Sequence, residues 1–151
     1  MANGAKMCVL RTFALCGLVA VAIACSAPAT AQSIQNVESL PQSVRSLIEK
    51  GHYAEAQDAA EALLRATRGI GDALREGAAT DLLVEALTRN GRGAEPRTRE
   101  FAEQIVRART ETVGPDNPLL ATSLRNLGDV LFQAGDYRLA AEDMLALAPL
   151  L

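Results

Sequence analysis

Few residues in this chain are of a type that does chemistry, so their spacing decides what they are for. His52 is the single histidine. It sits beside Gly51 in a turn, with no cysteine near it and no ordered set of carboxylates. That makes a poor metal site and a poor catalytic dyad. Cys8, Cys16 and Cys25 all precede residue 32, so the chain beyond has no thiolate nucleophile, no disulfide and no cysteine-ligated metal. Glu55, Asp58, Glu61 and Arg65 step by three or four residues, which describes a solvated helix face with weak ion pairs. The arginines between Arg89 and Arg109 would suit a phosphate, but Glu95, Glu100 and Glu103 are interleaved among them and give a mixed surface. Gly69-x-Gly71 and Gly91-x-Gly93 lack the third glycine, the Lys-Ser/Thr pair and the preceding strand of a phosphate loop, and read as turns. Asp116 and Asn117 lie between prolines with no further ligands for calcium. The side chains therefore predict no catalytic residue, no metal and no cofactor. What remains is the presentation of a surface.

That surface has to be carried by helices. The chain has 151 residues, enough for one domain; 49% are apolar, yet only 3% are aromatic and none is Trp. A core made from Ala, Leu, Val and Ile suits close-packed helices, and Ala and Leu are strong helix formers. The formal net charge of −3 leaves no basic footprint for nucleic acid.

Residues 1–31 read as an export leader. Lys6 and Arg11 precede an apolar stretch from Phe13 to Ala24, and Ala29-Thr30-Ala31 supplies a small-x-small cleavage site. At roughly 12 residues the stretch is too short to span a bilayer. Cleavage between Ala31 and Gln32 is expected, giving a periplasmic protein. Ala22-Ile23-Ala24-Cys25 is the alternative site: it resembles a bacterial lipoprotein box, with Cys25 lipidated and the protein held at a membrane. Losing the leader removes Lys6 and Arg11 but no acid, so the net charge moves from −3 to −5.

After a flexible lead-in over 32–38, apolar residues recur at helical spacing in three blocks, 39–68, 72–112 and 119–148. Ser39 caps the first helix with Pro41 in its first turn, and Leu40, Val44, Leu47 and Ile48 form its inner stripe. Asp72 is the N-cap of a helix whose stripe is Ala79, Leu82, Leu83, Ala86 and Leu87. Gly77 weakens that helix near its start. Pro115 and Pro118 punctuate the chain. Behind them Leu124, Leu127, Gly128 and Leu131 fall on one helix face, and Tyr137, Ala140, Met144 and Leu147 begin a second apolar stripe. Gly51, Gly91 and Gly135, 40 and 44 residues apart, mark the turn inside each block.

The run VGPDNPLLATSLRNLGDVLFQAGDYRLAA, Val113 to Ala141, resembles a tetratricopeptide repeat of the kinesin-light-chain-like kind. Its L-x-x-L-G-x-x-L and A-x-x-x-M spacing follows the repeat template with smaller side chains. Gly51-His52-Tyr53-Ala54-Glu55-Ala56 and Ala94-Glu95-Pro96 match the turn and second-helix start of earlier repeats. The resemblance covers roughly Leu40 to Leu147. It implies an all-α, right-handed solenoid of about three antiparallel helix pairs, non-enzymatic, binding a peptide or helix of another protein in a concave groove. Exported arrays of this kind also resemble the front part of proteins with a caspase-like protease domain behind them, which is the alternative functional reading.

In such a stack the first helix of each pair lines the groove. Thr122, Arg125, Asn126, Asp129 and Gln133 lie opposite the buried stripe of the third block and are the expected partner-binding residues. The resemblance implies that Asn126 points into the groove. Asp81, Glu85 and Thr88 are the matching positions of the middle block, so the groove is expected to be mildly acidic there.

Overall fold

A computed structural model of the chain describes residues 29–150. Six α-helices follow one another: α1 Ala29–Glu49, α2 Tyr53–Arg68, α3 Ala73–Leu87, α4 Pro96–Val113, α5 Pro118–Ala134 and α6 Tyr137–Leu147, with a short 3-10 turn at Ala148–Leu150. No strand occurs among the described residues. Each helix packs on the next, and α1 also touches α3 and α3 touches α5. The result is three antiparallel pairs stacked side by side, a helical solenoid.

Local chemistry fixes the turns. Gly51 and Gly135 close α1 and α5 in the left-handed region, at φ +78° and +86°. At α5 the Gly135 N–H donates to Phe132 O (3.1 Å) and the Asp136 N–H to Leu131 O (2.9 Å). At α1 Gly51 and His52 donate in the same way to Ile48 and Leu47. Both are Schellman endings, which satisfy carbonyls the helix leaves over. Helix starts are equally explicit. Asp72 accepts from the backbone N–H of Leu74 and Arg75, and Asn117 accepts from Leu119. Pro96 and Pro118 stand in the first turns of α4 and α5, where a missing N–H costs nothing. The middle turn differs: α3 runs into a π-helical turn, Thr88–Arg92, broken at Gly91 (φ +77°).

The core follows the apolar spacing. Val44, Ala60, Leu63, Leu64, Ala79, Leu82, Leu83 and Leu87 join α1, α2 and α3. Val84, Ala102, Leu127, Val130, Leu131 and Ala140 join the second and third pairs. Leu120, Leu124 and Leu147 close the last pair. Ala56, Ala60, Ala79 and Ala102 are wholly buried, which lets the helix axes approach closely. Helix α3 is enclosed on nearly every side: Gly77, Ala79 through Val84, and Ala86 through Thr88 are all buried.

Three expectations need correction. Helix α1 begins at Ala29, so Ser39 is not its cap, the 32–38 lead-in is helical and Pro41 lies inside the helix. Gly77 does not loosen α3. A Cβ there would meet Ile105 Cδ1 at 3.0 Å, so the missing side chain lets α4 pack in. In α6 only Ala140 and Leu147 of the expected stripe are buried; Tyr137 turns outward, while Met144, 38% exposed, lies across Gly128 of α5. Ala31 and Gln32 lie on the backbone of α1, while Cys25 lies outside the described residues. No helix among the described residues is long and apolar enough to cross a membrane.

Candidate functional site

The first helices of the three pairs, α1, α3 and α5, share one side of the stack, and a trough runs across them. It has three connected parts. An apolar hollow of about 130 Å³ lies between α1 and α3, walled by Pro41, Ala78, Ala79 and Leu82 and edged by Arg45 and Arg75. The centre, about 280 Å³, is lined by Arg45, Ala78, Leu82, Glu85, Leu119, Thr122 and Arg125, with Asp81 and Arg109 at its base. A polar end of about 120 Å³ is lined by Glu85, Thr88, Arg89, Arg125, Asn126 and Asp129. Arg45 and Leu82 belong to the first two parts and Glu85 and Arg125 to the last two, so the trough is continuous.

Beneath its centre is a buried polar node. Arg109, on α4, is 8% exposed and Asp81, on α3, is 3% exposed. Arg109 Nη2 donates to Asp81 Oδ2 at 2.5 Å, and its Nη1 donates to Leu119 O at 2.8 Å. Asn126 Nδ2 donates to Asp81 O at 3.1 Å, tying α5 to α3. Burial pushes the Asp81 carboxyl above the usual carboxylate range, and Arg109, Ser123 and Asn126 partly offset that push. The Ser123 hydroxyl is buried beside Asp81 without a hydrogen bond of normal geometry. Arg109 Nε is buried and unpartnered as well.

The node alters the expected binding set. Thr122 and Arg125 are exposed in the trough, and Asp129 is exposed at its polar end. Asn126 is not a presented side chain: it is 3% exposed and its amide is used in holding Asp81. Gln133 is exposed but donates Nε2 to Thr88 O at 3.2 Å, bridging the last two pairs. Thr88 is buried and returns its hydroxyl to Val84 O. Of the three middle-block acidic-face positions, only Glu85 faces the trough as a free group.

The trough is therefore cationic, not mildly acidic. Its lining holds Arg45, Arg75, Arg89, Arg109 and Arg125 against Asp81, Glu85 and Asp129. Elsewhere from residue 39 onward, 8 cations face 14 acids. Arg75 pairs with Asp72 and Arg109 with Asp81, while Arg45, Arg89 and Arg125 form no ion pair with any described residue. Sequence reasoning missed the Asp81–Arg109 pair. The signal available was Asp81, the one acid in the run Ala78 to Val84, since a buried charge needs a partner.

His52 is exposed, with Nδ1 at 3.2 Å from Glu55 Oε1 across one helical turn. Among the described residues no group of three His, Cys, Asp or Glu side chains is arranged to hold a metal ion.

Stacked helix pairs with a continuous trough across their first helices define a repeat solenoid that presents a concave surface. Residues 78–144, from α3 into α6, match the family model described as a tetratricopeptide repeat. The match places tetratricopeptide repeats in the second and third pairs, repeats of a kind that serves protein–protein interaction. No curated protein and no solved structure matches the chain.

Proposed function

We propose that this protein is an exported adaptor of the bacterial cell envelope that captures a partner's extended or helical segment in the α1–α3–α5 trough. The observation that carries the reading is charge segregation: the trough bears unpaired Arg45, Arg89 and Arg125 in an otherwise acidic chain. A segment carrying carboxylates is drawn to that stripe, and the acidic remainder repels it elsewhere. The hollow between Pro41 and Leu82 takes an apolar side chain of the same segment, which gives register. Glu85 and Asp129 select against a uniformly acidic ligand and favour a donor or a cation at two places.

The same charge layout argues against nucleic acid, because phosphates bind broad basic faces and the rest of this surface is acidic. The leader assigns the compartment, with mature protein beginning at Gln32; its kinesin-light-chain-like repeats serve as scaffold, not as catalyst.

Affinity capture from an envelope extract, with wild-type protein and an Arg45→Glu/Arg125→Glu variant side by side, tests the groove. A partner held by wild type and lost from the variant is expected, with helical circular dichroism unchanged. Equal yields from both would remove the trough from the account. The intact mass of the exported form checks the compartment: a chain starting at Gln32 is expected, and a diacylated chain starting at Cys25 would replace it with membrane anchoring.

A further inference from the structure

The outer face of the last helix pair is built unlike the rest of the molecule. Gly135 follows Gly91 by 44 residues, so Phe132 corresponds to Thr88 and Tyr137 to Gly93. In the second pair these positions lie under Gln133 of α5. Gln133 donates to Thr88 O, and a Cβ on Gly93 would meet its Oε1 at 2.2 Å. In the third pair Phe132 and Tyr137 stand 62% and 63% exposed, in an edge-to-face contact with ring centres 5.2 Å apart. Phe132, Tyr137 and Met144, the last 38% exposed, border a hollow of about 290 Å³ with Ala140 and Ala141, and Leu145, next along α6, is 74% exposed. The first pair shows no such face: exposed positions from residue 39 through α2 are mostly polar, such as Gln42, Ser43, Glu55, Asp58 and Arg65.

We propose that this face binds a second copy of the chain, forming a two-fold dimer joined end to end through α5 and α6. Two-fold pairing needs one surface that carries both a projection and a recess. Leu145 and the aromatic pair project, and the hollow bordered by Phe132, Tyr137, Ala141 and Met144 receives. Phe and Tyr fill the space that a glutamine reaches one repeat earlier, so the face is not shaped for another α5-like helix. From residue 39 through α2 the first pair offers no apolar counterpart for a head-to-tail chain. Of the residues lining the hollow, Asp129 alone is charged, and Arg138, exposed next to Tyr137 and paired with Glu142 one turn on, is the cation a partner copy brings to it. Taking about 200 Å² per full side chain, the four exposures amount to roughly 470 Å² per copy. A pair then buries up to about 1,000 Å², the size that a specific interface should clear.

Sedimentation equilibrium of the whole chain from about 1 to 200 µM tests this. A monomer–dimer transition is expected, with Leu145→Glu and, separately, Tyr137→Lys raising the dissociation constant at least tenfold while helical circular dichroism is kept. Leu74→Glu, at an exposed leucine on the start of α3, should leave the transition in place. A monomer throughout, an open-ended series of larger species, a dimer indifferent to both end-face variants, or one dissolved by Leu74→Glu would each overturn the proposal. Asp129 borders both surfaces, but the groove reading stands or falls separately, because Arg45 and Arg125, which carry it, are not part of this face.

Discussion

Replacing Arg109 by methionine isolates the polar node beneath the trough. Methionine keeps the aliphatic stem's packing and removes the guanidinium. Asp81, 3% exposed, then loses its ion pair, and Leu119 O loses its donor. Breaking a buried pair from one side costs about 3–5 kcal/mol, because the remaining charge is uncompensated. The pH dependence has a definite sign. Burial raises the folded-state pKa of Asp81 and Arg109 is the largest influence opposing it. Without Arg109 the carboxyl rises further, so the folded chain holds this proton more tightly than the unfolded chain. The cost is therefore fully present above the folded pKa and fades as pH falls toward the unfolded value. Urea unfolding followed by circular dichroism should show the loss in full at pH 7.5 and a smaller loss near pH 4.5. A double variant, Asp81→Leu/Arg109→Met, should return to within about 1 kcal/mol of wild type or exceed it. A loss under about 1 kcal/mol for Arg109→Met at pH 7.5, or one that grows in acid, would refute the reasoning.

Two further substitutions probe the ends of helices. Gly135→Ala should cost about 1 kcal/mol through backbone strain at φ +86°, since a Cβ there meets nothing within 4 Å; thermal unfolding checks it, and an unchanged midpoint would contradict the turn geometry. Asp72→Ala should cost about 1 kcal/mol by leaving the Leu74 and Arg75 N–H groups unsatisfied, a loss that Asp72→Asn should largely avoid.

The architecture was legible because its signals are local. Turn glycines, prolines at helix starts and the Asp72 cap act within a few residues, and apolar spacing marks which face turns inward. The groove was legible only in part. Helical periodicity assigns Asn126 and Asp81 to the side opposite the stripe, yet α3 is enclosed by both neighbouring pairs, so a polar residue on its far side is still buried. Whether Asp81 faces water or Arg109 depends on a partner 28 positions away, which periodicity within one helix does not encode. The sign of the trough's charge turned on Arg45, Arg75 and Arg89, which periodicity within the third block does not bring to it. Tyr137 was misplaced for a related reason: α6 packs chiefly on α5 and on the last 3-10 turn, so the side that carries Tyr137 and Leu145 is not covered by another helix among the described residues.

The most direct test of the central claim is selection from a random peptide library on the mature chain, repeated with the Arg45→Glu/Arg125→Glu variant. Wild type should enrich peptides that combine Asp or Glu with an apolar residue, binding more weakly as salt rises, and the variant should lose that enrichment. Peptides with no acidic bias, or the same peptides recovered by both chains, would contradict the account.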